Sequence, residues 1–307
     1  MKFIKSVPMS LGGISLALAS LGNLLLPYGA ILRYICGVLS AAVLIIFVLK
    51  IVFDFPHARE ELKTPLPLSV LPTATMTLML LSTYIRPHVG ILAVAMWYAA
   101  VATHVFIMSL FFKRFVLGFK LGAVFPTWFV AFVGMAVASV TAPAMGAVAI
   151  GQAVFYIGFV FYFVVFALVV CRMVKVRLFP EPARPTIAIF TAPMSLLTVG
   201  YFNSFVFQGQ FNEVLVYIML TIAAASYVYV TIKMFSLLRI KFYPTYASFT
   251  FPYVISATAF RLGAAFLAER GFHFLTPVAH ISQWIAIAVV LYVLVHFVVF
   301  FRFWLKF

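Results

Sequence analysis

Ten stretches of about 20 predominantly apolar residues follow one another along this chain, separated by short polar or charged segments. At 1.5 Å rise per residue each is long enough, as a helix, to cross the ~30 Å hydrocarbon core of a bilayer. They lie near 7–27, 30–53, 68–85, 89–112, 121–142, 146–171, 187–207, 213–238, 246–268 and 277–304. With 66% hydrophobic and 9% charged side chains, the chain carries more apolar surface than one soluble globule can hide. Lipid is the solvent this sequence requires. Cys36 and Cys171 fall inside or beside apolar runs, which offers neither a disulfide framework nor a zinc knuckle.

The net charge of +15 comes from basic residues at helix ends, not from a basic face interleaved with aromatics, so a nucleic-acid partner is not expected. Seventeen of the 21 Lys and Arg sit at the termini or in the loops after even-numbered spans. Arg33, Arg86, Arg261 and Arg270 sit on the other side. The positive-inside rule then places both termini and the long loops in the cytoplasm, for a multi-pass protein of the inner (plasma) membrane.

A fivefold repeat organises the spans. Each odd-numbered span has one proline near its cytoplasmic third: Pro8, Pro72, Pro126, Pro193 and Pro252, at intervals of 64, 54, 67 and 59 residues. The local text recurs, as in Val7-Pro8-Met9-Ser10-Leu11 and Ala192-Pro193-Met194-Ser195-Leu196. A cleaved leader would not share its context with a segment deep in the chain, so the first span is expected to be a module of the fold. Odd spans are rich in Gly, Ala, Ser and Thr, whereas even spans are mostly Val, Ile, Leu, Phe and Tyr. Small and hydroxylated residues let helices approach closely, and bulky apolar ones suit lipid.

The expected fold is an all-α membrane protein: ten transmembrane helices as five helical-hairpin repeats around a central pore formed by the odd-numbered helices. It forms one domain over 1–307, with hairpins near 1–60, 61–115, 116–180, 181–240 and 241–307. A proline inside a membrane helix frees a carbonyl one turn back, and five such kinks at one depth favour a wet central path.

The lining of that path suggests its cargo. The six acids, Asp54, Glu60, Glu61, Glu181, Glu213 and Glu269, all lie at ends or in loops, which argues against a cation channel or a buried carboxylate proton relay. Neutral hydroxyls and a basic cytoplasmic mouth favour small anions, inorganic or organic. Phe125 and Phe251 directly precede their prolines, where a ring can project and close a narrow path. His104 and His296 are expected to hydrogen-bond neighbouring helices, Glu213 to sit in the first turn of a capped helix, and Arg261 to lie near the outer interface, snorkelling or drawing anions. There is no phosphate loop, metal-ligand spacing or nucleophile with a base partner, so neither enzyme activity, a metal nor a cofactor is expected.

The proline-kinked hairpins, together with Val7-Pro8-Met9-Ser10-Leu11-Gly12-Gly13-Ile14 and Ser248-Phe249-Thr250-Phe251-Pro252, resemble the TehA family of tellurite-resistance and dicarboxylate transporters and the related plant slow anion channels. The resemblance spans nearly the whole chain. It implies a ten-helix protomer with a pore through its own centre, assembled as a homotrimer. It also implies a gate in which a ninth-helix phenylalanine, here Phe251, packs on a small first-helix residue, here Gly13. Pro252 follows Phe251 where relatives can carry Gly. A secondary transporter of C4-dicarboxylates, sulfite or tellurite-type oxyanions is the alternative, and a membrane scaffold or sensor a third reading.

Overall fold

Helix length separates two classes of span in the computed structural model, which describes residues 2–177 and 179–305. Lys306, counted above with the cytoplasmic basic residues, and the side chain of Lys2 lie outside what is described. The even helices are α2 (Ala30–Phe53), α4 (Ile91–Phe111), α6 (Val148–Lys175), α8 (Glu213–Leu237) and α10 (Thr276–Leu305). With 21 to 30 residues, each spans about 31 Å or more as a continuous helix. The odd α-helices are shorter: α1 (Leu11–Leu25), α3 (Thr73–Val89), α7 (Ala192–Ser204) and α9 (Thr250–Ala268), with 15, 17, 13 and 19 residues. At about 20–29 Å none of these crosses the hydrocarbon core alone. Leading pieces complete them: Pro65–Val70 before α3, and 3-10 helices Glu181–Thr191 and Pro244–Phe249 before α7 and α9.

Among the described residues, nine helical segments are long and apolar enough to cross a membrane, and no strand is present. The fifth expected span, 121–142, is broken. Its path, here α5, consists of Trp128–Phe132, a 3-10 turn Gly134–Ala136, Val137–Thr141 and a second 3-10 turn Ala142–Met145. Gly134 sits where an added Cβ would stand 2.8 Å from Met76 Sδ of α3, so α5 runs close against its neighbour at the point where it tightens.

The odd helices close into a ring: α1 packs on α3, α3 on α5, α5 on α7, α7 on α9, and α9 back on α1. Each even helix lies outside, bridging its own odd partner and the next one round. Burial follows this order. In the most apolar windows 67–94% of residues of the four continuous odd spans are buried, against 28–33% in the even ones. Large side chains such as Ile31, Val160, Ile232 and Val299 therefore face outward, where lipid solvates them.

Every seam of the inner ring carries a side-chain hydrogen bond. The Tyr84 hydroxyl of α3 donates to the Ala19 carbonyl of α1. Ser69 Oγ donates to Thr127 Oγ1 at 2.6 Å between the segments leading into α3 and α5. Ser204 Oγ of α7 donates to the Ser139 carbonyl of α5 at 2.7 Å. Ser195 and Ser256 pair their hydroxyls at 2.9 Å between α7 and α9. Arg261 of α9 donates to the Leu24 carbonyl of α1. Each contributes on the order of 0.6 kcal/mol in a membrane, so their main effect is to fix the rotation of each helix.

Of the two histidines expected to bond neighbouring helices, His104 does so and His296 does not. His104 is fully buried with Nδ1 2.9 Å from Thr75 Oγ1 of α3, while His296 bonds the Tyr292 carbonyl of its own helix and stacks on Phe242. Asn212 caps α8 by accepting from the Leu215 N–H at 3.2 Å. Glu213, in that first turn, pairs with Arg270.

Candidate functional site

The five prolines mark one level of the ring, but as helix starters and not as interior kinks. Pro8 precedes α1, and its carbonyl accepts from the Leu11 N–H at 3.0 Å. Pro72 is the residue at which α3 begins, accepting from Met76 N–H at 2.9 Å. Pro126 lies in the turn ahead of Trp128 and accepts from Phe129 N–H at 3.1 Å. Pro193 and Pro252 occupy the first turns of α7 and α9. The physical reason is economy of donors: a first-turn residue has no intrahelical partner for its N–H, and proline, with φ already near −65°, lacks one. Each odd span thus resets its axis at its proline.

At that level the ring surrounds a partly open cavity of about 60 Å³, here the N-terminal cavity, bounded by residues from all five odd spans. Its wall includes Ser10 and Gly13 of the first span, Thr73 and Met76 of the third, Phe129 and Val133 of the fifth, Ala192 and Pro193 of the seventh, and Phe251 and Pro252 of the ninth. Nearer the C-terminal ends of the odd helices lies a second cavity of about 40 Å³, also bounded by all five. Ser20 and Asn23, Leu80, Val137 and Val140, Val199, and Ile255 and Thr258 line it. Leu196 and Phe251 border both. No charged or titratable side chain lines either cavity.

Phe251 is 7% exposed, and its ring has no aromatic or cationic partner among the described residues. Phe125, the other ring expected to project at this depth, lines neither cavity. It packs on Phe179, ring centroids 5.8 Å apart, beside the Arg172 guanidinium. Phe129, one helical turn later, supplies the ring from the fifth span. Pro8, Pro72 and Pro126 also stand back from the cavity wall, while Pro193 and Pro252 border it. Gly13 shares the N-terminal cavity with Phe251 but faces a different residue. A Cβ there would stand 3.6 Å from the Ala247 Cβ, and no Phe251 atom comes within 4 Å.

Residues that sequence reasoning missed include Leu196, Ser20 and Asn23. The signal that could have found them is helical spacing: Ser10, Gly13, Leu16, Ser20 and Asn23 recur at three or four residues and form one face of the first span.

Charge is confined to the ends. Near the C-terminal ends of the odd helices, Arg33 and Arg261 make no ion pair among the described residues, while Arg270 engages both Glu213 and Glu269. Near the other end, Lys50 is buried against Glu61 at 2.7 Å, tying α2 to the short helix Phe55–Glu61. Just beyond that short helix the Lys63 ammonium, hydrogen-bonded at 2.6 Å to Glu60, holds the exposed Glu60 carboxyl below its ordinary range.

Two small cavities with no charged lining, inside a ring whose arginines and lysines lie toward its ends, hold no acid that would favour a cation. The family described as SLAC1, voltage-dependent anion channel, matches residues 4–303. No curated protein matches the chain significantly.

Proposed function

The chain belongs to the SLAC1 family of voltage-dependent anion channels, and from that premise we propose that it conducts small anions along the axis of its inner ring, with Phe251 as the barrier. One observation supports this reading: Phe251, together with Leu196, borders both cavities. A ring on the axis closes a narrow path by occlusion and by excluding water. Gly13 and Phe251 border the same cavity, which supports keeping Gly13 with the barrier. In this reading the N-terminal cavity opens toward the cytoplasm, where the basic residues concentrate anions, and Arg33 and Arg261 flank the outer end.

Carriers of C4-dicarboxylates or oxyanions generally hold their substrate with a charge or a helix terminus at mid-membrane. The cavities carry no charged side chain, which favours conduction, while the first turns of α7 and α9 at the N-terminal cavity keep the carrier as the second reading. The homotrimer and the plasma-membrane location belong to the same proposal, the former tested by native mass spectrometry in detergent.

The test is chloride and nitrate flux from proteoliposomes containing the purified chain, with potassium carried by an ionophore to balance charge. Phe251→Ala is expected to raise anion flux at least about tenfold, the loss of roughly 1.4 kcal/mol of barrier. Equal flux in the two proteins overturns the barrier role. Absence of anion flux from both overturns conduction.

A further inference from the structure

The second cavity holds a set of hydrogen-bond donors that neither the fold nor the barrier uses. Asn23 lines it from α1, and Arg33 of α2 donates from Nε to Asn23 Oδ1 at 2.9 Å. A guanidinium has donors only, so this contact decides which end of the Asn23 amide faces which way. The carbonyl turns to Arg33, and the amide nitrogen with its two N–H groups turns away from it. Nδ2 has no hydrogen-bond partner among the described residues. One turn earlier Ser20 lines the same cavity, only 5% exposed, and its hydroxyl is likewise without a partner among them. Most buried hydroxyls in these helices donate to a carbonyl of the preceding turn, as Thr198, Ser195 and Thr258 do; Ser20 does not. Asn23 is half-buried and Ser20 buried, and both line the cavity, so a polar solute held there can take up these spare donors.

Arg33 is itself held firmly. Its Nη2 donates to the Thr83 carbonyl at 3.2 Å, and the guanidinium lies 4.2 Å from the centroid of the Tyr84 ring. Its fixed positive charge polarises the Asn23 amide it touches, strengthening the free N–H groups as donors to a negative ligand.

We propose that Ser20 Oγ–H and Asn23 Nδ2–H form a coordination site for one partly dehydrated small monovalent anion, of the halide or nitrate class, on the C-terminal side of Phe251. Arg33 acts as its positioning residue. The proposal rests on the conduction reading for its purpose, and adds a site where an anion rests after passing the ring. Donors without a full charge hold the ion weakly enough to let it leave, as conduction requires.

The experiment uses bromide as probe. Crystals of the full chain grown in bromide are expected to show an anomalous peak within hydrogen-bond distance of Asn23 Nδ2 and Ser20 Oγ. Asn23→Asp keeps an oxygen for Arg33 and replaces the two N–H donors by a second oxygen, so the chain still folds while the peak disappears. In the Phe251→Ala background, Ser20→Ala is expected to raise the half-saturating chloride concentration about tenfold and to move the nitrate-to-chloride permeability ratio. A merely structural serine would leave that ratio unchanged. Arg33→Lys, which keeps the charge but not the fixed fork, is expected to give an intermediate shift. No anomalous peak in the unaltered chain overturns the site, whatever the flux. A peak accompanied by no flux from any variant leaves the site standing and overturns conduction.

Discussion

Leu196 of α7 and Phe251 of α9 both border the two axial cavities, so the separation between those cavities rests on an aliphatic and an aromatic side chain from neighbouring helices. Their helices are tied by the Ser195–Ser256 hydroxyl pair at 2.9 Å, directly before Leu196 in α7 and five residues after Phe251 in α9. Leu196→Ala is therefore expected to raise anion flux less than Phe251→Ala does, because the ring still fills most of the gap. The double substitution should exceed the product of the two single effects, since each side chain alone can partly close the space the other vacates. Flux from proteoliposomes for all four proteins checks this, and strict multiplicativity would mean that the two act independently.

Gly12 and Gly13 are adjacent in sequence, but they should respond oppositely to the same substitution. A Cβ at Gly12 would run into Thr73 Oγ1, which cannot swing aside without giving up its 2.7 Å hydrogen bond to the Val70 carbonyl. A Cβ at Gly13 would meet Ala247 at ordinary contact distance. Gly12→Ala should lose about 1–3 kcal/mol of stability, whereas Gly13→Ala should lose little. Combining Gly12→Ala with Thr73→Ala should recover most of the loss, and combining it with Thr73→Ser, which keeps the oxygen, should not. Thermal unfolding in detergent reads all five proteins.

Much of this arrangement was legible in the sequence because hydropathy and residue size are sequence properties. Val, Ile and Phe in α6 against Gly, Ala, Ser and Thr in α1 already separate outer from inner helices, and the recurring prolines give the repeat. Helix rotation is what one-dimensional reading lacks. Phe125 and Phe251 hold the same position before their prolines, yet Phe125 turns to Phe179 and Phe251 to the axis. The role of the prolines needed the hydrogen bonds of the preceding residues, which form 3-10 turns and not another stretch of α-helix. The unused donors of Asn23 are fixed by Arg33 across a tight turn between helices, a relation that hydropathy does not carry.

The orientation proposed from charge has a direct chemical check. In a chain with Cys36 and Cys171 replaced by Ala, a single cysteine at Gln210, exposed between α7 and α8, should react with a membrane-impermeant maleimide on intact cells. A single cysteine at His57, exposed on the short helix after α2, should react only after lysis. The reverse pattern would place the basic end outside.

Conduction and proton-coupled transport part company over pH. Neither cavity is lined by a titratable side chain. At the basic end, the Glu60 carboxyl is depressed by its hydrogen bond to Lys63. A depressed carboxyl keeps its charge, and the ion pair with it, at all pH above its ordinary range, and loses both only as pH falls through the lowered value. Glu60 therefore contributes no change between about pH 6 and 8. Chloride flux through the Phe251→Ala protein should accordingly vary less than about twofold across that interval. An imposed pH gradient should neither drive chloride uphill nor collapse when chloride flows, as followed by a pH dye trapped in the same proteoliposomes. Chloride accumulation that follows the pH gradient would require a protonatable group on the path, and would return the chain to the coupled-carrier reading.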